Sequence, residues 1–163
     1  MNRKAMMVNQ IKEIARQRYD YIDLNVGLSV LDEVLGDQEV LAFYVTDRII
    51  RFDFRYADGI QATAVTDSQL LYSFEIEPAS IRYDFIKVSE SSWLDVRELL
   101  PSALLPRKDR QIQMELELRL SEGTQGATLF ADATPEETKA LREFIVALSN
   151  CIRSGKWKNN GHS

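Results

Sequence analysis

The first apolar pattern in the chain has a helical period. Met7, Val8, Ile11, Ile14 and Ala15 fall near one face, with Arg3, Lys4, Lys12, Arg16 and Arg18 elsewhere, and this predicts a helix over residues 3 to 18. A second, short helix is predicted from Ser29 to Leu35. Ser29 suits its N-cap, Leu31, Val34 and Leu35 share a side, and Gly36 supplies the stop. Between the two, Ile22, Leu24, Val26, Leu28 and Val30 alternate with Asp23, Asn25, Gly27 and Ser29. That is a strand period, so propensity leaves this stretch open between strand and helix.

From Glu39 onward the period is two. Leu41, Phe43 and Val45 hold one parity and Ile50, Phe52, Phe54 and Tyr56 the other, which requires a bulge or tight turn within Thr46 to Ile49. Ala57-Asp58-Gly59 predicts a hairpin turn, because Asp and Gly tolerate positive φ. Strands are predicted at Ile60 to Thr66 and Leu70 to Ile76, joined across Asp67-Ser68, and Glu77-Pro78-Ala79-Ser80 breaks the sheet. Ile81 to Val88 and Trp93 to Leu99 continue it, the second being equally compatible with a helical turn. After a loop at Pro101 to Asp109, Ile112, Met114, Leu116, Leu118 and Leu120 alternate with Gln113, Glu115, Glu117 and Arg119, so this strand is expected to have one buried and one wet face. Glu122-Gly123-Thr124 turns the chain and Ala127 to Ala131 returns as the partner strand.

The final segment reads as a helix with written ends. Thr134 suits the N-cap, Pro135 the first helical position, and Glu137 closes a capping box. Leu141, Phe144, Ile145, Leu148, Cys151 and Ile152 form an apolar stripe that needs a surface to cover, Ser154-Gly155 ends the helix, and residues 154 to 163 are expected to be a disordered tail. One phrase occurs twice: Val45-Thr46-Asp47 and Val65-Thr66-Asp67 each precede an aliphatic pair. The spacing to that pair differs by one residue between the copies, so they read as turn devices rather than as a duplicated module.

A length of 163 residues makes one domain the default, and a hydrophobic fraction of 45% with 28% charged residues is the balance of a soluble globular chain. The net charge of −5 conceals a basic start and an acidic middle, and an acidic body argues against a broad nucleic-acid surface. A single cysteine, Cys151, excludes an internal disulfide and fits a reducing compartment. No run approaches a membrane span and no signal-peptide pattern opens the chain, so the expected location is cytoplasmic.

Leu35-Gly36-Asp37-Gln38-Glu39-Val40-Leu41 resembles the helix end, turn and first strand that open many bacterial pleckstrin-homology-like (PH-like) domains. Ala64-Val65-Thr66-Asp67-Ser68-Gln69-Leu70-Leu71-Tyr72 resembles their recurrent Thr-Asp-x-x-Leu-Leu hairpin, Phe85-Ile86-Lys87-Val88 through Trp93 the following strand pair, and Thr134 to Arg153 the capping helix. The resemblance covers residues 35 to 153 and leaves 1 to 34 as an N-terminal helical extension. It implies a mainly β, α+β fold: an antiparallel barrel of about seven strands capped by the C-terminal amphipathic helix, preceded by one or two N-terminal helices. Such folds serve lipid binding, peptide binding and assembly alike. Lipid-binding PH members carry basic residues in and around the first hairpin. Here the turn is Tyr56-Ala57-Asp58-Gly59 with Asp53 beside it, and Arg48, Arg51 and Arg55 do not share one strand face, which departs from a phosphoinositide pocket.

No reactive constellation emerges from the remaining residues. His162 is the sole histidine and lies in a polar tail, where no partner can be held in fixed geometry. Cys151 falls on an apolar stripe and reads as a small core residue. Asp47 and Asp67 occupy equivalent turns, where Asp is favoured by local backbone hydrogen bonds. Glu115 and Glu117 read as a solvated strand face with Arg119, and Gly123 and Gly126 do not form a phosphate loop. Tyr44, Phe52, Phe54, Tyr56, Tyr72, Phe74 and Trp93 are expected mostly in the core, with a few free to line a partner groove.

The expectation is therefore a non-enzymatic interaction domain with no catalytic, cofactor or metal residues, binding a protein or peptide partner or self-associating, by strand addition to an open sheet edge. Two alternatives stand beside it. One is a peripheral membrane role for the basic N-terminal helix; the other is a small ligand in a barrel cavity.

Overall fold

Helix α1 (Arg3–Arg18) forms where the apolar period predicts it, with the Asn2 side chain accepting from Ala5 N–H at 2.8 Å as its N-cap. The computed structural model describes residues 2–50, 56–89, 92–99, 113–119, 126–132 and 135–157. Helix α2 runs Leu24–Leu35, longer than predicted and capped by Asp23 rather than Ser29, with Gly36 at its end. The ambiguous stretch is thus helical. Its burial follows Gly27, Leu31 and Leu35, spaced by four, while Val26 is left 59% exposed, so the alternation of aliphatics there was incidental to the fold.

The strands are β1 (Val40–Thr46), β2 (Ile49–Ile50), β3 (Tyr56–Ala57), β4 (Ile60–Thr66), β5 (Leu70–Ile76), β6 (Ile81–Lys87), β7 (Trp93–Leu99), β8 (Gln113–Arg119) and β9 (Gly126–Asp132), followed by α3 (Pro135–Ser154). They form a four-stranded antiparallel sheet in the order β1-β4-β5-β6, a small β2-β3 pair and a three-stranded antiparallel sheet in the order β7-β8-β9. The protein is mixed α+β. The predicted register change is present: Thr46 pairs with Gln61 but Ile49 with Ala57, one residue out of step. A second irregularity lies at Leu41, between Val40 opposite Thr66 and Ala42 opposite Val65. Trp93–Leu99 is a strand, which settles the helical alternative there.

Two compact units divide the chain, one comprising residues up to Lys87 together with Trp157, the other Val88–Lys156. In the first, α1 and α2 cover one face of the four-stranded sheet: Met7, Ile11, Ala15, Leu31 and Leu35 pack with Val40, Ile60, Ala62, Ala64, Tyr72, Phe74 and Ile76. The N-terminal helical segment thus packs into this core, because an exposed sheet face of Phe and Ile must be covered. Gly27 permits the approach of α2, since a Cβ there would lie 3.2 Å from Ile76 Cγ2. The opposite face is buried as well, at Ala42, Tyr44, Thr63, Val65 and Leu71. In the second unit α3 packs on β8 and β9 through its predicted stripe, with Leu141, Phe144, Ile145, Leu148 and Ile152 buried and Cys151 half-buried.

Trp157 lies within the segment expected as a tail. It is only 4% exposed, because an indole left in water forfeits the burial of a large apolar surface. The N-cap Thr134, the loop from Pro101 to Asp109, the turn at Glu122 to Thr124, Phe52, Phe54, Arg51, Arg55, His162 and residues 158 to 163 lie outside the described residues.

Candidate functional site

The two Val-Thr-Asp turns prove to be fasteners. Thr46 Oγ1 donates to Arg48 O at 2.6 Å, and Asp47 accepts from Arg18 at 2.6 Å and from Arg48 at 2.7 Å, while the Tyr19 hydroxyl donates to Asp47 O. This ties the end of α1 to the β1–β2 turn. Burial would raise the Asp47 carboxyl, but the hydrogen bonds and charges of Arg18 and Arg48 outweigh it and hold the group below its ordinary value. In the second copy Asp67 accepts from Glu39 N–H at 2.9 Å. Thr66 Oγ1 donates to Gln38 Oε1 at 2.7 Å, and Gln38 Nε2 donates to the Tyr72 hydroxyl at 2.8 Å, pinning the entry of β1. Both aspartates are therefore occupied structurally.

The basic residues of α1 are also largely committed. Lys4 donates to Asp32 at 2.6 Å and to Gly36 O at the end of α2, Arg16 pairs with Glu13, and Arg18 with Asp47. With Met7, Ile11 and Ala15 buried, the apolar face of α1 is turned into the protein. Glu115 and Glu117 lie on β8 and Gly126 opens β9, while Gly123 lies outside the described residues. Among the described residues no group of His, Cys, Asp and Glu is placed to hold a metal ion, and no helix is long and apolar enough to cross a membrane.

What sequence reasoning missed is that β6 is one of the two outer strands of the four-stranded sheet. Strand β6 pairs with β5 on one side and, among the described residues, with no strand on the other. Its sequence alternates Ile81, Tyr83, Phe85 and Lys87 on one face with Arg82, Asp84 and Ile86 on the other. Tyr83 is 46% and Phe85 55% exposed, although both rings lie against β5: Phe85 centres 5.5 Å from Tyr72, and Tyr83 6.2 Å from Phe74. An aromatic ladder thus runs off the covered face onto the open edge.

The hydrogen-bonding phase of that edge follows from its turn. Glu77 N–H donates to Ser80 O, so the 77/80 pair is in hydrogen-bonding register, and the pairs facing each other across β5 and β6 then alternate. Arg82, Asp84 and Ile86 direct their backbone groups to β5. Ile81, Tyr83, Phe85 and Lys87 direct theirs outward, where an added strand would find them. Beside the turn lies a groove of about 210 Å³ between the start of α2 and β5–β6, lined by Asp23, Val26, Gly27, Ile76, Pro78 and Ile81 among others. Below the roughly 300 Å³ of typical ligand pockets, it is sized for one side chain.

The chain matches no family model, no curated protein and no solved structure. Its function is argued from this geometry.

Proposed function

We propose that this protein is a non-enzymatic, PH-like interaction domain that binds an extended protein or peptide segment along the open edge of β6. The observation that carries the reading is the run of outward-facing amides at Tyr83 and Phe85 on a strand whose aromatic face is half exposed. Backbone hydrogen bonds supply affinity in such strand addition, and alternate side chains supply selectivity. The PH-like part of the proposal draws on the order of elements: a four-stranded antiparallel sheet, a three-stranded antiparallel sheet and a 20-residue helix. A PH-like barrel built from the two sheets and left open at β6 belongs to this proposal, as does a bacterial cytoplasmic location. The membrane alternative draws less support, since α1 spends its apolar face on the core.

The test is selection of binding peptides from a displayed random library on the folded full-length protein, comparing Phe85→Pro with Phe85→Ala. Proline removes an outward N–H and is tolerated on an edge, whereas alanine keeps the N–H and removes the ring. Selected peptides are expected to bind the alanine variant and lose the proline variant. Peptides that bind both proteins equally, or no enrichment at all, would refute the reading.

A further inference from the structure

We infer that the strand seated on β6 is β6 of a second copy of this chain, in a two-fold antiparallel register centred on Tyr83; this rests on the edge reading above and names its partner. Because the outward backbone groups belong to Ile81, Tyr83, Phe85 and Lys87, an added strand must pair outward residues with outward residues. For two identical strands, the symmetric registers that meet this condition and pair at least five residues of β6 are centred on Tyr83, Asp84 or Phe85. A register centred on Asp84 sets two like carboxylates directly opposite each other, which opposes pairing. One centred on Phe85 sets Asp84 opposite Ile86 and leaves both charges unmatched.

The register centred on Tyr83 matches every residue from Ile81 to Phe85, with Ile86 and Lys87 beyond the paired segment. Arg82 meets Asp84 of the second copy, and by symmetry Asp84 meets its Arg82; Ile81 meets Phe85 twice, and Tyr83 meets its own equivalent. The segment Ile81-Arg82-Tyr83-Asp84-Phe85 is complementary to itself when reversed, as an isologous interface requires. Within one chain the charges are unevenly served: Arg82 stands opposite Glu75 on β5, but Asp84 stands opposite Ser73, which offers no charge. Pairing in this register sets Arg82 between two carboxylates and gives Asp84 a cation. It also covers Tyr83 and Phe85 and joins two four-stranded sheets into one.

Sedimentation and light scattering on the full chain test this with a charge swap. The wild type is expected to dimerise. Arg82→Asp and Asp84→Arg each turn both cross-strand pairs into like-charge pairs and are expected to weaken the dimer by about tenfold or more. The double variant R82D/D84R restores opposite charges and is expected to regain wild-type affinity, which also shows that the single variants did not fail through misfolding. A wild type that stays monomeric at every concentration, a dimer indifferent to the single changes, or a double variant no better than the singles overturns the inference. If the wild type is monomeric yet its selected peptides are lost on Phe85→Pro, self-pairing alone fails. If those peptides are indifferent to Phe85→Pro, the edge reading fails with it.

Discussion

Replacing Ile11 with alanine asks whether α1 is core or appendage. Ile11 is 0% exposed and packs in the cluster with the four-stranded sheet. The change deletes three carbons, each worth about 0.8 kcal/mol of transfer free energy, so about 2.4 kcal/mol is lost before any cavity forms. The cavity adds to this, and the better helix propensity of alanine returns a few tenths of a kcal/mol. The expected net loss is about 2 to 4 kcal/mol. Urea unfolding followed by the fluorescence of the buried Trp157, in a Trp93→Phe background, reports on the first unit and should show its midpoint falling by about 1 to 2 M. Lys12→Ala, one residue along and exposed, should shift stability by no more than about 0.5 kcal/mol. If the two substitutions cost the same, α1 is not docked in solution, and its apolar face becomes available to a membrane.

The remaining predictions concern turns and the edge. Because the Asp47 pKa is lowered on folding, its contribution is present above the ordinary value of 3.8 and is lost as pH falls through the lower folded value. The stability difference between wild type and Asp47→Asn, about 1 kcal/mol or less for this part-exposed cluster, should vanish in that acid window; a difference that persists unchanged to pH 2 contradicts the assignment. Gly59→Ala should cost about 2 kcal/mol or more in thermal unfolding, since φ is +147° and a Cβ would lie 2.5 Å from Ile76 O. Asp84→Pro deletes a hydrogen bond to β5 and should destabilise by about 3 kcal/mol, whereas Phe85→Pro should stay within about 1 kcal/mol of Phe85→Ala. A reversed order would show that the ladder has the opposite phase.

Much of the fold is legible in local pattern. Helices α1 and α3, their stripes and the strands from Val40 to Ile76 follow from periods of 3.6 and two and from turn residues such as Asp58-Gly59 and Asp67-Ser68. Local pattern failed at α2, where Leu24, Val26, Leu28 and Val30 satisfy the strand period while Gly27, Leu31 and Leu35 satisfy the helical one. Only the sheet beneath chose between them, since the helical option sets Gly27 against Ile76 and buries both leucines.

The candidate site was illegible for a related reason. Ile81 to Lys87 reads as one more strand, and nothing in its residues announces that it is outermost. An edge is defined by strand order, which depends on partners far away in sequence, whereas caps, turns and periodicity depend on neighbours within a few residues. The same distinction separates the Val-Thr-Asp turns, visible at once as turns, from their partners Arg18 and Glu39, which folding alone brought to them. Short-range sterics and side-chain period are written residue by residue; which sheet faces are covered, the burial of Trp157 and the placing of β6 at a sheet edge arise from long-range packing of apolar surface.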